Sequence, residues 1–370
     1  MRRLAAVAAA ASLTLTLWPE PARAAVSAKQ VVPCRPAGDE CWPAAFAFTP
    51  KGRFLFYLER FSGEIHRVNL GTGADSVWGD VGEPEGAGER GALGIAVDPR
   101  WDRKAKTKKA IRRRRRNRWV YVFYTNGAPL ENRIVRLRRL KSGQPAVQQL
   151  LSIPITAASN HNGGIIQFGP DQNLYVVTGD QAVPGRSQDI ADPAGKVLRM
   201  TRTGERPQDN PIPGSLALSF GHRNSYGFGF DPVTGRLWQS DNGPQCDDEV
   251  NLITAGGNYG WGSASDCPDT SESGPSPIGP EHVYPSTLPA LTGVAFCQGC
   301  GVPDLEGKLL LGSWNDGRIR ALALDAERDD VTGEVTVHQQ ADGVLSLAVR
   351  PSTRQVFFSD QRGIHVLVAA

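Results

Sequence analysis

Polar side chains that could do chemistry stand at the ends of short apolar segments in this sequence. His161 precedes the apolar segment GIIQF, and Asp180 follows the next apolar segment, LYVVT. Histidine is suited to act as a general base near neutral pH. A carboxylate that accepts a hydrogen bond from the imidazole fixes its tautomer and raises its basicity. We therefore predict that His161 is a general base oriented by Asp180; the alternative is a loop histidine bonded to backbone.

A second polar group precedes a hairpin in residues 219–262. Arg223 and Asn224 come before the apolar segment YGFGF, which a turn joins to a second apolar segment, RLW. Two such segments predict a β-hairpin, whose entry and exit lie at the same end. Arg223 should therefore lie near the residues that follow the hairpin. There it would either pair with acidic side chains or stabilise an anion that develops on a substrate or cofactor. Asn224 would join it in the site or cap a turn.

The residues that follow this hairpin are rich in oxygen ligands. Gly243 and Pro244 are followed by the acidic triplet that ends at Glu249, and the backbone carbonyl of Tyr259 comes shortly afterwards. Carboxylate and carbonyl oxygens are the ligands that Ca²⁺ prefers. The pattern predicts a calcium site in this segment, and the alternative is a solvated acidic loop.

The elements that position these residues repeat along the chain. Six times, an apolar segment, a turn and a second apolar segment follow one another, and most units continue into a third apolar segment. The units cover residues 45–60, 92–126, 164–181, 219–262, 293–317 and 344–363. Repeats of several short strands predict an all-β protein, a six-bladed β-propeller with four-stranded antiparallel blades. The last unit lacks a fourth strand, which residues 26–32 are expected to supply, closing the ring.

The propeller would gather the polar residues on one face. In a blade, the start of the innermost strand and the end of the second strand lie on the same side of the ring, because the two strands are antiparallel. Glu89, His161 and Arg223 precede innermost strands, whereas Asp180 and Gly243 follow second strands. All five should meet around the central channel.

Composition and charge suggest an exported protein. The chain has 370 residues, with 41 Gly, 27 Pro and a net charge of +3. Residues 1–24 have two arginines, an apolar run and a small-residue cleavage site, which predict a signal peptide followed by a single domain over residues 25–370. Its apolar run is too short to span a bilayer comfortably, and no other segment could span one.

A basic run interrupts the second unit. Residues 103–118 are rich in arginine and lysine and hold no acidic residue, whereas the rest of the predicted mature chain is acidic. We expect this run to be an insertion of the second blade that projects from the opposite face as a solvated loop and can contact an anionic surface. It has no interleaved aromatic residues to stack on bases, so nucleic acid is not an expected partner.

Six cysteines fit an oxidising compartment. Cys34 and Cys41 are close enough in sequence to pair, and CQGC at residues 297–300 is a Cys-x-x-Cys. Cys246 and Cys267 would then be left to pair with each other, although spacing alone leaves the connectivity open. A zinc site is not favoured, because there is one Cys-x-x-Cys and no histidine at a companion spacing.

Four segments resemble the soluble glucose/sorbosone (aldose sugar) dehydrogenases that use pyrroloquinoline quinone (PQQ): GERGALGIAVDP, HNGGIIQFGPDQNLYVVTGDQ, GHRNSYGFGFDPVTGRLWQSDNGP and DDEVNLITAGGNYGWG. The resemblance covers nearly all of the predicted mature chain and implies a six-bladed propeller. It implies that His161 takes the sugar hydroxyl proton while hydride passes to the quinone, with Asp180 as its partner. It also implies roles for a further set: Glu89, Arg223 and Asn224 on the cofactor, Gly243 and Pro244 on its Ca²⁺, and Glu249 with the Tyr259 carbonyl on a second Ca²⁺.

The chain departs from this family in its last third. The family holds the cofactor's carboxylates with a lysine in the fifth blade and two arginines that enter the sixth. Here Asn315, Gly343 and Leu345 stand near those positions, and Arg318 and Arg362 are the cations on the same rim that could replace them.

The residues and the resemblance together predict a secreted, Ca²⁺-binding oxidoreductase that oxidises an aldose or related polyol with PQQ. Two alternatives belong to other classes. One is a propeller that has lost the cofactor and binds a glycan or protein through the same rim. The other is a Ca²⁺-dependent hydrolase in which His161 activates water. The predicted partner of the enzyme is a small-molecule sugar.

Overall fold

A computed structural model describes residues 26–34, 40–102, 118–140, 145–156, 158–286 and 288–370. The predicted signal peptide and residues 103–117 of the basic run lie outside these residues. The described chain forms six antiparallel sheets of four strands each. This confirms the predicted fold class, a six-bladed β-propeller.

The strands follow one another blade by blade along the chain. Blade 1 holds β2 (Pro43–Phe48), β3 (Phe54–Glu59), β4 (Glu64–Asn69) and β5 (Ala74–Asp80); blade 2 holds β6 (Ala92–Val97), β7 (Val120–Gly127), β8 (Leu130–Arg139) and β9 (Pro145–Pro154); blade 3 holds β10 (Gly163–Phe168), β11 (Leu174–Thr178), β12 (Lys196–Met200) and β13 (Ala217–Phe220); blade 4 holds β14 (Gly227–Phe230), β15 (Leu237–Asp241), β16 (Asp248–Ile253) and β17 (His282–Tyr284); blade 5 holds β18 (Leu291–Phe296), β19 (Leu309–Ser313), β20 (Arg318–Leu324) and β21 (Val331–Gln339); blade 6 holds β22 (Ser346–Val349), β23 (Val356–Asp360), β24 (Gly363–Ala369) and β1 (Val26–Pro33). A short helix, α1 (Gly185–Gln188), and a 3₁₀ turn, Pro303–Leu305, lie in loops.

The first strand of the chain closes the ring, as predicted. β1 pairs antiparallel with β24, from Val26 opposite Ala369 to Pro33 opposite Gly363. The chain then crosses to blade 1, where the N–H groups of Cys41 and Trp42 donate to the carbonyl of Gln361. The first and last strands of the described chain therefore share one blade, and the hydrogen bonds between them close the ring.

Hairpin turns follow from local chemistry, and residues 231–235 between β14 and β15 are an example. The Asp231 side chain accepts hydrogen bonds from the N–H of Val233 at 3.0 Å and the hydroxyl of Thr234 at 2.8 Å. Pro232 favours the start of such a turn, and Gly235 adopts a φ of +75°, which costs a residue without a Cβ little. The turn thus fixes the register of the hairpin that follows Arg223 and Asn224.

The core lies between neighbouring blades. Every residue of the inner strands β6 and β18 is buried. The ring of Phe56 lies 5.5 Å from that of Trp78 in its own blade and 5.1 Å from that of Trp101 in blade 2, edge to face in both cases. Such packing holds each blade at a constant position relative to the next, so that loops from separate blades meet reproducibly on one face.

Three disulfides join the cysteines as the spacing suggested: Cys34 to Cys41, Cys246 to Cys267, and Cys297 to Cys300. The last pair confirms that this Cys-x-x-Cys carries no free thiolate for a metal. Among the described residues, no helix has both the length and the apolar character needed to cross a membrane.

Candidate active site

His161 and Asp180 form a hydrogen-bonded pair at the start of blade 3. His161 precedes β10 and Asp180 follows β11; Gly163 of β10 pairs with Thr178 of β11, so the flanking residues meet at one end. The His161 Nδ1 lies 2.7 Å from the Asp180 Oδ1. The sequence predicted this pair correctly, and its physical basis is the antiparallel hairpin.

The carboxylate of Asp180 is held on both oxygens. Its Oδ2 accepts a hydrogen bond from the Trp261 indole at 2.7 Å, and its Oδ1 also accepts one from the N–H of Ala182 at 2.8 Å. Asp180 is fully buried, so an acceptor-only carboxylate suits these donors. His161 Nδ1 is then the donor, which leaves Nε2 as the basic nitrogen. Within the described chain Nε2 has no hydrogen-bond partner, and the side chain is 10% exposed.

Glu89 connects three blades beside this pair. Its Oε2 accepts hydrogen bonds from the N–H of His161 at 2.5 Å, the amide of Asn224 at 3.2 Å and the hydroxyl of Tyr226 at 2.8 Å. Burial, together with the charge of Glu89, raises the pKa of Tyr226 well above its ordinary value, so this phenol remains a donor. Tyr226 is a residue that the sequence analysis missed.

Arg223 and Asn224 are positioned by Asp241, at the end of β15. The two Asp241 oxygens accept the N–H groups of Arg223 at 3.0 Å and of Asn224 at 2.6 Å. Arg223 donates to the carbonyls of Asn242 at 2.9 Å and Gly243 at 2.7 Å. Burial lowers the pKa of Arg223, and nearby carboxylates oppose that shift. A partly desolvated guanidinium of this kind interacts strongly with an anion.

An oxygen-lined cavity of about 10 Å³ lies beside Arg223. Its lining includes Gly243, Glu249 and Tyr259, which were predicted as metal ligands, whereas Pro244 does not line it. Burial, and then the charge of Asp241, raises the pKa of Glu249 to about 8. A buried carboxylate that resists ionisation in this way would be stabilised by a cation, so the donor set fits a hard divalent ion such as Ca²⁺.

A larger cavity of about 310 Å³ opens next to Glu89 on the same face. Tyr226 and Asn242 line it, as do two tryptophans, Trp42 and Trp314, whose rings lie 5.5 Å apart. His161 and Asp180 are not part of this lining, but Glu89, which is, accepts the hydrogen bond from the N–H of His161. A cavity of about 420 Å³ at the opposite end of the channel is lined mainly by apolar inner-strand residues, and none of the predicted catalytic residues lines it.

The chain matches a known protein family over most of its length. The model of the family "Glucose / Sorbosone dehydrogenase" matches residues 41–363. The chain belongs to the glucose/sorbosone dehydrogenase family. This is a family of PQQ-dependent sugar oxidoreductases, as the resemblance of the sequence segments predicted.

Individual members of the family differ in how much they share with the chain. It is 30% identical over 265 residues to quinoprotein glucose dehydrogenase B of Acinetobacter calcoaceticus, covering 62% of this chain and 52% of that protein. It is 25% identical over 340 residues to the aldose sugar dehydrogenase YliI of Escherichia coli, covering 87% and 86%. A solved structure of the PQQ-bound aldose sugar dehydrogenase of Streptomyces coelicolor superposes with a TM-score of 0.74 at 28% identity, covering 93% and 98%.

Relatives also differ in length. The chain spans 63% of an uncharacterised Synechocystis protein to which it is 30% identical, and about half of the Acinetobacter dehydrogenase. The family model, which matches residues 41–363, spans every residue of the candidate site. The parts of those two proteins that this chain does not cover carry no argument about its function.

At the positions where the resemblance implies three cations, this glucose/sorbosone dehydrogenase family member has a different surface. Leu345 lines the 310 Å³ cavity, and Asn315 donates instead to the carbonyl of Leu288 at 2.8 Å. A Cβ built on Gly343 would overlap the ring of Trp314. The tryptophan therefore occupies the space that a longer side chain at position 343 would need.

The two arginines proposed as replacements do not fill this gap. Arg362 pairs with Asp342 at 2.9 Å, and Arg318 lies 3.7 Å from Asp316. Neither lines the cavity. Among the described lining residues the one cation is instead Arg60, which lies over the ring of Trp42 at 5.3 Å. Arg60 is the last residue of the first repeat, and the sequence analysis assigned it no role.

Proposed function

We propose that this protein oxidises an aldose or a related polyol, using PQQ as the hydride acceptor and Ca²⁺ beside the cofactor. The observation that carries the proposal is the His161–Asp180 pair, held at 2.7 Å next to Glu89, Asn224 and Arg223. Family membership supports the reaction class. The choice of sugar, the use of Ca²⁺ and the role of each residue are parts of the proposal.

In this proposal, His161 is the general base. Its Nε2 removes the proton from the sugar hydroxyl, and Asp180 stabilises the imidazolium that forms. Bound PQQ would supply the hydride acceptor. The sugar carbon would lose a hydride to it and the sugar hydroxyl would lose a proton to His161, so two electrons and two protons leave and the alcohol becomes a carbonyl. Glu89 holds the backbone of His161 in place through its 2.5 Å hydrogen bond.

Arg223 and Asn224 suit the quinone end of the cofactor. Asp241 fixes their backbones, and the unpartnered, buried Oδ1 of Asn224 and Nε of Arg223 mark polar capacity that the protein itself does not satisfy. Buried polar atoms without a protein partner are usually hydrogen-bonded to a ligand or to ordered water. A guanidinium there would stabilise the negative charge that develops on the quinone during reduction.

Ca²⁺ suits the acidic side of the site. Gly243 and Glu249 line the small cavity, and Tyr259 contributes its carbonyl in the proposed ligand set. A divalent cation would relieve the cost of ionising Glu249 in its buried position. Pro244, adjacent to Gly243, is proposed as the further carbonyl ligand.

Arg60 suits the carboxylate end of the cofactor. Its Nε donates to the carbonyl of Arg90 at 3.0 Å and a terminal nitrogen donates to Gly88, which leaves further N–H groups toward the cavity. A charge-assisted hydrogen bond contributes about 1.5–3 kcal/mol. One such cation in place of three predicts that PQQ binds more weakly here than in relatives that have all three.

The decisive experiment is calorimetric titration of the Ca²⁺-loaded apoprotein with PQQ, followed by dye reduction with a panel of aldoses. We expect PQQ to bind at micromolar concentration and at least one aldose to be oxidised. His161→Ala should abolish turnover but keep PQQ binding. A His282→Ala variant, which changes a histidine on β17 of blade 4, should keep both. Failure of the wild-type protein to bind PQQ would end the proposal.

A second candidate function rests on the aromatic wall of the cavity. Trp42 and Trp314 lie 5.5 Å apart with planes tilted by 35°, and tryptophan faces commonly pack against sugar rings. A cofactor-free glycan-binding propeller would bind sugars without PQQ, and Trp314→Ala would abolish that binding. Hydrolysis of a sugar lactone in the presence of Ca²⁺ but without PQQ would instead favour the hydrolase alternative.

We further propose that the protein is exported. Three formed disulfides fit an oxidising compartment, and residues 1–24 have the composition of a signal peptide. Amino-terminal sequencing of protein recovered from the periplasm or medium should begin at Ala25. Recovery from the cytoplasm with an intact Met1 would overturn this part of the proposal.

A further inference from the structure

A second group of metal-ligating side chains lies outside the candidate active site, in blade 1. Glu59 ends β3, and Glu64 and His66 lie at the start of β4, so the hairpin between these strands brings them together. One ligand atom from each lies within 4.8 Å of the other two. Of the described residues, the other comparable group contains Cys297 and Cys300, whose disulfide removes both thiolates as ligands.

The distances in this group fit a metal coordination shell and are longer than those of typical direct hydrogen bonds, although the contact to Glu64 is also a long hydrogen bond. His66 Nε2 lies 3.5 Å from Glu59 Oε1 and 3.3 Å from Glu64 Oε2. A direct N–H···O hydrogen bond is usually about 2.9–3.0 Å long. Tetrahedral ligands at about 2.1 Å from a zinc ion lie roughly 3.4 Å from one another. Both separations are close to that value, so a central ion would need little rearrangement of these atoms.

The imidazole is already oriented as a ligand. Its Nδ1 lies 3.2 Å from Asp75 Oδ1, and the hydroxyl of Tyr57 donates to the other Asp75 oxygen at 2.9 Å. The ring of Tyr57 also stacks on His66 at 4.5 Å with planes 15° apart. A carboxylate on the far nitrogen is the usual outer partner of a metal-bound histidine, because it fixes the ring and raises its basicity.

The two glutamates leave one face open. The Ser62 hydroxyl donates to Glu59 Oε2 at 2.8 Å, so Oε1 is the oxygen turned toward His66. The side chain of His66 is 14% exposed and that of Glu64 is 44% exposed. An ion here would keep a solvent-facing position for water, as three-ligand zinc sites do.

We propose that Glu59, Glu64 and His66 bind one divalent transition-metal ion per chain, and that the mixed nitrogen and carboxylate set selects Zn²⁺. The site is independent of the oxidoreductase proposal. Glu59 directly precedes Arg60, whose side chain lines the 310 Å³ cavity. Occupancy would therefore also fix the end of β3 from which Arg60 projects.

The test uses untagged, chelator-treated protein in excess Ca²⁺, so that Ca²⁺ competes with Zn²⁺ for any binding to the acidic loop. Equilibrium dialysis against ZnCl₂ should give one Zn²⁺ per chain, and Co²⁺ should give the visible absorption bands of a tetrahedral ion. His66→Gln and Glu59→Gln should each remove the bound ion. Asp75→Asn should weaken binding by about 10–100-fold, because it alters only the outer partner.

Controls separate this site from adventitious binding. His282 Nε2 lies 3.2 Å from Glu334, so His282→Gln removes a histidine–carboxylate pair of similar exposure and should leave the stoichiometry unchanged. Melting temperatures measured without Zn²⁺ show whether the His66 and Glu59 variants fold. No stoichiometric binding to the wild-type protein, or unchanged binding in folded His66→Gln, would overturn the proposal and leave the group as an ion-paired histidine.

Discussion

At the residue scale, Asp180 can act only as an acceptor. Three donors reach its two oxygens: the imidazole of His161, the indole of Trp261 and the N–H of Ala182. An asparagine at position 180 would accept through its one oxygen, but its NH₂ group would face one of these three donors and could not accept from it. The position of the proton on His161 therefore depends on the carboxylate at residue 180.

Asp180→Asn should lower kcat by about 10²–10⁴-fold, since it removes the group that orients the base and stabilises its protonated form. PQQ affinity should change little. Steady-state dye reduction with PQQ-loaded protein measures this effect. Asp189→Asn, an exposed change in the loop that follows, is the control and should keep full activity. Retention of most of kcat by Asp180→Asn would show that the dyad is misassigned.

Arg60→Gln should weaken PQQ binding by about 10–150-fold, the equivalent of one charge-assisted hydrogen bond. Arg60→Lys should lose less, because it keeps the positive charge. Calorimetric titration gives both values, and the thermal melting curve reports whether loss of the Gly88 and Arg90 contacts disturbs the fold. Arg362→Gln is the matched control, because Arg362 pairs with Asp342 outside the cavity. An unchanged Kd in Arg60→Gln would remove Arg60 from the cofactor site.

At the scale of elements, one buried ion pair joins the turns of two neighbouring blades. Arg328, between β20 and β21, donates to both oxygens of Asp231, at 2.6 Å and 3.1 Å, and Asp231 is 1% exposed. Burial acts to raise the pKa of Asp231, but Arg328 and the turn donors outweigh it, so the pKa lies below its ordinary value. This pair couples blade 4, which carries Arg223, to blade 5.

Asp231→Asn should lower the free energy of unfolding by about 1–3 kcal/mol at pH 7, because it leaves a partly buried guanidinium, 15% exposed, without its counter-charge. Because the pKa of Asp231 is lower in the folded than in the unfolded state, its ionised form stabilises the protein at pH values above the unfolded pKa. This stabilisation is lost as the pH falls through the folded pKa. The difference between wild type and variant should therefore shrink from pH 7 to pH 3. Urea unfolding at both pH values measures it.

The control for this pair is Asp329→Asn. Arg236 and Asp329 also form an ion pair, at 3.0 Å, but both side chains are 43% exposed. Exposed pairs contribute about 0–1 kcal/mol. An equal cost for the two variants, or a pH-independent cost for Asp231→Asn, would contradict the account of a buried inter-blade pair.

At the scale of the whole molecule, Ca²⁺ should stabilise the propeller by binding the folded state alone. A ligand at 100 times its Kd adds about 2.7 kcal/mol. The pKa of Glu249, raised to about 8, makes this stabilisation depend on pH. Without metal, protonated Glu249 stabilises the folded state at low pH, and this stabilisation is lost as the pH rises through the folded pKa. Ca²⁺ replaces the proton on Glu249, so the stabilisation by Ca²⁺ grows over the same pH range.

The Ca²⁺-induced rise in Tm should consequently be larger at pH 8 than at pH 5.5, and chelation at pH 8 should lower Tm. Differential scanning calorimetry with Ca²⁺ or chelator measures both. Glu249→Gln should lose most of the Ca²⁺ response, whereas the exposed Glu272→Gln should keep it. An identical Tm with Ca²⁺ and with chelator at pH 8 would contradict a calcium site in the acidic loop.

Much of this molecule could be predicted from its sequence alone. Apolar segments separated by turns predicted six blades, the missing strand predicted that residues 26–32 close the ring, and the hairpin placed His161 next to Asp180. These features depend on local periodicity and on the antiparallel rule that entry and exit share one end. Both depend only on residues close together in the sequence, so they can be predicted without the folded structure.

The tertiary structure alone decided which side chains from different blades contact one another and which of them line the cavity. Trp261 reaches Asp180 from another blade, Trp314 occupies the space above Gly343, and Arg60 lines the cavity where Arg318 and Arg362 do not. The physical reason is that reach depends on the twist of each blade and on packing between blades. A strand pattern specifies which face a residue lies on, but not which neighbour from another blade stands beside it.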